Sequence, residues 1–112
     1  MNLADLVPLA QMGKTLVVVA ATHARSRQVF ETLATGNFEQ PCRITRTAGN
    51  ESVRFETGGS IRFLPAAMSR ALRGRSFEVM VLDADAHLSD RARDELEPVV
   101  AMGGSIVRMQ LD

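Results

Sequence analysis

One cysteine, one lysine and two histidines are all that the 112 residues contain of those types, and tryptophan and tyrosine are absent. A single cysteine, Cys42, excludes an internal disulfide. Without a Cys or His cluster a structural zinc site is excluded as well. With five Phe as the only aromatics, the core must rest on Val, Leu, Ile, Ala and Met. Long apolar runs are also missing. The longest, residues 16–21, is far too short to span a bilayer. The opening MNLADLVPLA has no basic region ahead of its short apolar stretch, as a signal peptide would. The expectation is a cytoplasmic protein, one domain over residues 1–112, with no membrane role.

Charge is balanced in total but not along the chain. Residues 1–75 carry ten basic and five acidic side chains, and residues 76–112 carry three and eight. Such an uneven charge distribution bears on partners rather than on fold. Twelve of the thirteen basic residues are arginine, the side chain suited to gripping phosphate with two parallel hydrogen bonds.

The apolar pattern predicts an α/β fold. Residues 15–21, Thr-Leu-Val-Val-Val-Ala-Ala, form a short, continuous, β-branched run typical of a strand buried on both faces. Residues 24–33 place Val29, Phe30 and Leu33 on one helical face, with Gly36 as a stop. Pro8 interrupts any helix in residues 2–12. From Cys42 the period changes to two. A strand at Cys42, Ile44 and Thr45 is followed by alternation in residues 52–56 and 60–64, and Gly58-Gly59 between these segments signals a hairpin. Residues 66–72 read as a short helix or turn, and residues 79–82 as a second fully apolar strand. Ser89 caps a helix expected over residues 90–102, which Gly103-Gly104 ends. Residues 105–111 form the last strand. Two all-apolar strands need cover on both faces, so a three-layer, mostly parallel sheet with an antiparallel edge hairpin is expected.

Three constellations carry chemistry. Asp83 ends the apolar strand Val79-Met80-Val81-Leu82. At the carboxyl end of a parallel strand it faces the ligand crevice and can orient water around Mg²⁺; alternatively it caps the following turn. Asp85 and His87 follow at period two, making either a metal triad with Asp83 or a solvated loop. His23 is a polar residue at a strand end. Gly13-Lys14-Thr15 matches the end of a phosphate loop, G-x-x-x-x-G-K-[ST], which makes Lys14 and Thr15 candidate phosphate contacts. Pro8 stands where the first glycine belongs, and a strand rather than a helix follows. Arg62, Arg70, Arg73 and Arg75, around Gly74, are candidate nucleic-acid or nucleotide phosphate contacts, or a solvated charged loop.

The order of these features resembles the ATPase domain of phage large terminase subunits, the motors that pump DNA into capsids. The run Val17 to Ala21, ending in Thr22-His23 and followed by Ala24-Arg25 and Phe30, is similar to that family's strand ending in Thr-Ala-His and the helix behind it. Gly59-Ser60-Ile61-Arg62-Phe63-Leu64, the Arg/Gly-rich stretch from Arg70 to Phe77, and the acidic strand Val79 to Asp83 follow in the family's order. The resemblance covers roughly residues 14–111. It implies a P-loop-NTPase-like core lacking a proper phosphate loop. Where the family has Asp-Glu this chain has Asp83-Ala84, so Asp83 and Asp85 resemble a degenerate Walker B site without its catalytic base. The family's nuclease domain has no counterpart before Asp112.

The resemblance thus implies a non-enzyme: no catalytic residue, no metal site and no resident cofactor, with Mg-ATP relevant only to a surviving remnant of activity. The leading expectation is a non-catalytic, terminase-like phage or prophage protein acting through protein–protein contact. The alternatives are a nucleic-acid-binding module, or a residual nucleotide binder or ATPase linked to DNA packaging. In the family's sheet the phosphate-loop strand lies beside the last strand here. Its loss implies an exposed apolar edge from Ile106 to Leu111, open to a protein partner or to a second copy in a homodimer.

Overall fold

The computed structural model describes residues 3–36, 42–47, 49–72, 74–86 and 88–110. A 3-10 turn (Leu3–Asp5) leads into α1 (Leu6–Gln11), then β1 (Thr15–Ala20) and α2 (His23–Ala34). Three strands follow, β2 (Cys42–Thr45), β3 (Ser52–Phe55) and β4 (Ser60–Pro65). A kinked 3-10 segment (Ala66–Leu72) connects to β5 (Phe77–Asp83), and α3 (Asp90–Leu96) runs through a 3-10 turn (Glu97–Val99) into β6 (Val100–Met109).

The six strands make one mixed sheet in the order β2-β3-β4-β1-β5-β6. The continuous apolar runs take its centre. β1 pairs in parallel with β5, Leu16 opposite Val79 through Val19 opposite Leu82, and in parallel with β4 on its other side. β5 pairs in parallel with β6, and β2-β3-β4 are antiparallel. Successive side chains along a strand point to opposite faces, so β1 feeds two cores. Leu16 and Val18 join Val81, Ile61 and Phe63 beneath Leu6 and Ala10 of α1 and Val29, Phe30 and Leu33 of α2. Val17 and Val19 join Leu64, Met80 and Leu82 against Leu72, Leu96 and Val99. Phe30 and Phe63 meet edge to face at 5.5 Å, a geometry aromatic rings prefer. Helical cover on both faces gives the three layers expected. The radius of gyration, 12.8 Å, is close to the roughly 13 Å of a compact domain of this length.

The Ser89 cap forms as expected, and Thr22 supplies a second one. The hydroxyl oxygens of Thr22 and Ser89 accept from Arg25 N–H and Ala92 N–H. Two departures from the sequence reading involve proline. Pro8 does not prevent a helix, because it sits in the first turn of α1, where its missing N–H is not needed. The helix expected over residues 90–102 ends instead at Leu96. Pro98 has no N–H to donate to the carbonyl four residues back, and its ring clashes there. The chain turns at Glu97–Val99 and enters β6 five residues earlier than the expected start at Ser105. Opposite β5 the register jumps from Val100 to Ser105, with Gly103 at φ +83°, so the regular ladder of β6 covers only Ser105 to Met109.

The hairpin turn is also longer than Gly58-Gly59. Phe55 N–H donates to Gly59 O at 2.9 Å and Gly58 N–H to Phe55 O at 3.0 Å. This closes a three-residue loop with Gly58 at φ +91°, the left-handed position such loops reserve for glycine.

Candidate functional site

Connections leave β1 and β5 on opposite faces, since α2 packs in one core and Leu96 of α3 in the other. Adjacent strands with diverging connections open a crevice at their carboxyl ends, the usual ligand position in open α/β sheets. Asp83 stands in that position with no solvent exposure. Its Oδ2 accepts from Ala21 N–H at 3.1 Å and its Oδ1 from Asp85 N–H at 3.1 Å, and Arg25 Nε approaches Oδ2 at 4.0 Å. The carboxylate therefore ties the end of β1 to the turn after β5, the capping role weighed against metal binding. Asp85 is exposed and accepts from Gln110 Nε2 at 3.3 Å. Ala84 brings no carboxylate, and its N–H donates to Met109 O. His87, the third member of the proposed triad, lies outside the described residues, and His23 is exposed at the start of α2. Among the described residues no three His, Cys, Asp or Glu side chains are grouped to hold a metal.

Lys14 and Thr15 lie at the other end of the sheet. Lys14 Nζ pairs with Glu78 at 3.3 Å, and Thr15 Oγ1 accepts from Glu78 N–H at 3.2 Å. The amides a phosphate loop would present are occupied: Gly13 N–H donates to Ala10 O and Lys14 N–H to Leu9 O. Asp83 bonds to Ala21, seven residues further along the chain, a span of about 23 Å at 3.3 Å per residue. Lys14 and Asp83 do not meet, so no single triphosphate with its metal touches both.

The arginines converge elsewhere. In the β2-β3-β4 half of the sheet, Val53, Phe55 and Ile61 face the core under α1 and α2. The alternate residues, Arg43 and Thr45, Ser52 and Arg54, Ser60 and Arg62, point to the opposite face. Leu72, Leu96 and Val99 cover only the β4-β1-β5 half of that face. The uncovered half forms an open basin of about 420 Å³ walled by these residues together with Arg75. Arg43 stands directly across from Arg54, and Arg62 across from Ser52. Arg43, Arg54 and Arg75 are exposed, while Arg62 is only 7 % exposed. Burial, and then the positive charge of Arg75, lowers the pKa of Arg62, and Glu51 opposes the shift.

Of the four arginines chosen from the sequence, Arg62 and Arg75 come together. Arg70 does not join them, because its Nε pairs with Glu95 at 3.4 Å. Arg73 lies outside the described residues. Arg43 and Arg54 were missed. The available signal was the period-two alternation itself, in which one complete face of the hairpin strands is polar.

Comparison of the chain with protein-family models, with curated proteins and with solved structures finds no match.

Proposed function

We propose that this chain is a non-catalytic binding module that holds the phosphate backbone of nucleic acid on the arginine-lined face of its sheet. The observation that carries this reading is the convergence of Arg43, Arg54, Arg62 and Arg75 on one basin that no carboxylate lines among the described residues. Hydroxyls of Thr45, Ser52 and Ser60 between them supply the neutral donors common at phosphate contacts. The four described Phe side chains are buried, so the face offers no platform for stacking bases. That favours duplex backbone over single strands, and shape and charge over sequence. The packaging-motor resemblance fits a DNA-handling role, and the engagement of both Asp83 oxygens by backbone amides supports a non-catalytic reading.

A duplex of about twenty base pairs is expected to bind with little sequence preference. Three neutralised phosphates, at the exposed Arg43, Arg54 and Arg75, predict a loss of about fortyfold in affinity between about 50 and 200 mM salt. Arg43→Ala and Arg54→Ala together should flatten that salt dependence. Fluorescence anisotropy measures both effects, and no binding at low salt would eliminate the reading.

A second reading concerns partners. β6 is an edge strand, and Ile106 on it is 49 % exposed. Such an edge offers unpaired backbone groups to another chain, and we propose self-pairing there. The regular ladder from Ser105 to Met109 is short; Leu111, the last residue of the proposed edge, lies outside the described residues. Sedimentation is expected to show a weak dimer that Ile106→Lys abolishes. A monomer at high concentration would remove this second reading and leave the first untouched. Among the described residues no helix is long and apolar enough to cross a membrane.

A further inference from the structure

Arg62 distinguishes this basin from an ordinary cluster of solvated arginines. Among the described residues its Nε and Nη1 have no hydrogen-bond partner, although both are shielded from solvent. Only Nη2 is bonded, at 3.3 Å to Gly49 O and 3.5 Å to Asn50 Oδ1. Buried donors without acceptors destabilise a fold. The like charges of Arg43 and Arg54, directly opposite one another, add to that cost. Glu51 is the carboxylate whose charge reaches Arg62. It is itself buried, accepts from Gly49 N–H at 2.7 Å, and balances one of the four positive charges. Unfavourable local arrangements of this kind are characteristic of places where a ligand supplies what is missing.

Building on the reading of this face as an anion-binding surface, we propose that Arg62 forms the floor of a seat for a single phosphate monoester. The source we assign is the terminal phosphate of a nucleic-acid end. The argument is one of depth and charge. A monoester carries close to two negative charges near neutral pH and three free oxygens. An internal phosphodiester carries one charge, has two free oxygens, and is flanked by sugars on both sides. Arg62 lies below a rim of exposed Arg43, Arg54 and Arg75. A group at the end of a single ester bond can reach a donor at that depth, whereas the side of a rigid duplex cannot. As the phosphate enters, the exposed rim arginines close on its outer oxygens through charge-assisted hydrogen bonds.

The test compares two duplexes of identical sequence, one with phosphorylated and one with hydroxyl ends, using inorganic phosphate as competitor at constant ionic strength. The phosphorylated duplex is expected to bind about tenfold tighter. Inorganic phosphate at about a hundred times its dissociation constant should raise the Tm by about 10 °C. Arg62→Met should abolish the end preference and the phosphate shift, while leaving the Tm in phosphate-free buffer unchanged or higher. Arg75→Gln at the rim should weaken both several-fold, and it serves as the readout if Arg62→Met does not fold. Arg93→Ala on α3 should alter neither. Equal affinity for the two duplexes with no phosphate shift overturns the seat and leaves the backbone reading standing. A phosphate shift lost in Arg62→Met, with neither duplex bound, supports the seat for free phosphate and overturns the nucleic-acid reading. A phosphate shift that survives both substitutions overturns the seat.

Discussion

Gly59→Ala is expected to destabilise the protein by about 3 kcal/mol or more, a fall of about 10 °C or more in Tm for a domain of this size. A methyl group at this position would lie 1.7 Å from Ala10 O, 2.6 Å from Ala10 C and 3.0 Å from Lys14 O. All three are backbone atoms, so no side chain can swing aside. Ala10 O is fixed where it is by the end of α1, accepting from Gly13 N–H at 3.0 Å and from Thr57 Oγ1 at 3.3 Å. Ser60 N–H donates to Lys14 O at 3.1 Å on the far side of Gly59. The hairpin and the helix end are thus tied together around a residue with no room for a side chain. Relieving the clash means lifting α1 and exposing Leu6 and Ala10, which are completely buried. Gly58→Ala is the matched control: nothing lies within 4 Å of its Cβ position, and only its φ of +91° opposes a side chain, a cost of about 1 kcal/mol. Urea denaturation of both variants measures the difference. Equal destabilisation would mean that the turn, and not the approach of α1, decides the geometry.

Asp83→Ala is expected to cost about 3 kcal/mol, because two backbone amides lose the acceptors that the buried carboxylate gives them. The substitution leaves the amides of Ala21 and Asp85 without their acceptors. Asp83→Asn retains one acceptor oxygen but turns an N–H toward the other amide, so a loss of about 2 kcal/mol is expected. The order Ala, then Asn, then wild type follows from hydrogen bonding alone. A motor-type metal site makes a different prediction. Millimolar Mg²⁺ would then stabilise the wild type, and either substitution would remove the effect. With both carboxylate oxygens engaged, no Mg²⁺ dependence of the Tm is expected. A magnesium-dependent rise lost in Asp83→Asn would restore the metal reading, and a cost below about 1 kcal/mol for Asp83→Ala would refute the structural one.

The layered architecture was legible because its signals are local. Short, β-branched, continuous apolar runs read as strands buried on both faces, and these are β1 and β5. Ser89 marked a helix start because capping needs only a side chain and the amide three residues on. Prolines were harder, since their effect depends on position within the turn. Pro8 in a first turn is harmless, whereas Pro98 after two turns ends the helix. The Asp83 position was readable as a strand end, but its two amide partners, Ala21 and Asp85, were not both foreseeable. One of them comes from a strand sixty-two residues away. The basin was the least legible feature. Arg62 and Arg70 are eight positions apart but serve different surfaces, while Arg43 and Arg54 become neighbours only through strand register. Proximity in sequence selected the wrong companion for Arg62, and the sheet supplied the right ones.

The central place of β1 also governs how the domain forms during synthesis. Its two flanking strands, β4 and β5, begin at Ser60 and Phe77 and so leave the ribosome well after it. At about 5–20 residues per second the gap lasts several seconds. Throughout that interval the most apolar segment of the chain, Leu16-Val17-Val18-Val19-Ala20, lacks both of its native strand neighbours, and the Val17 and Val19 face lacks the later residues that cover it. The nascent polypeptide is therefore most vulnerable to aggregation before translation passes Asp83, and a ribosome-bound chaperone has its clearest target there.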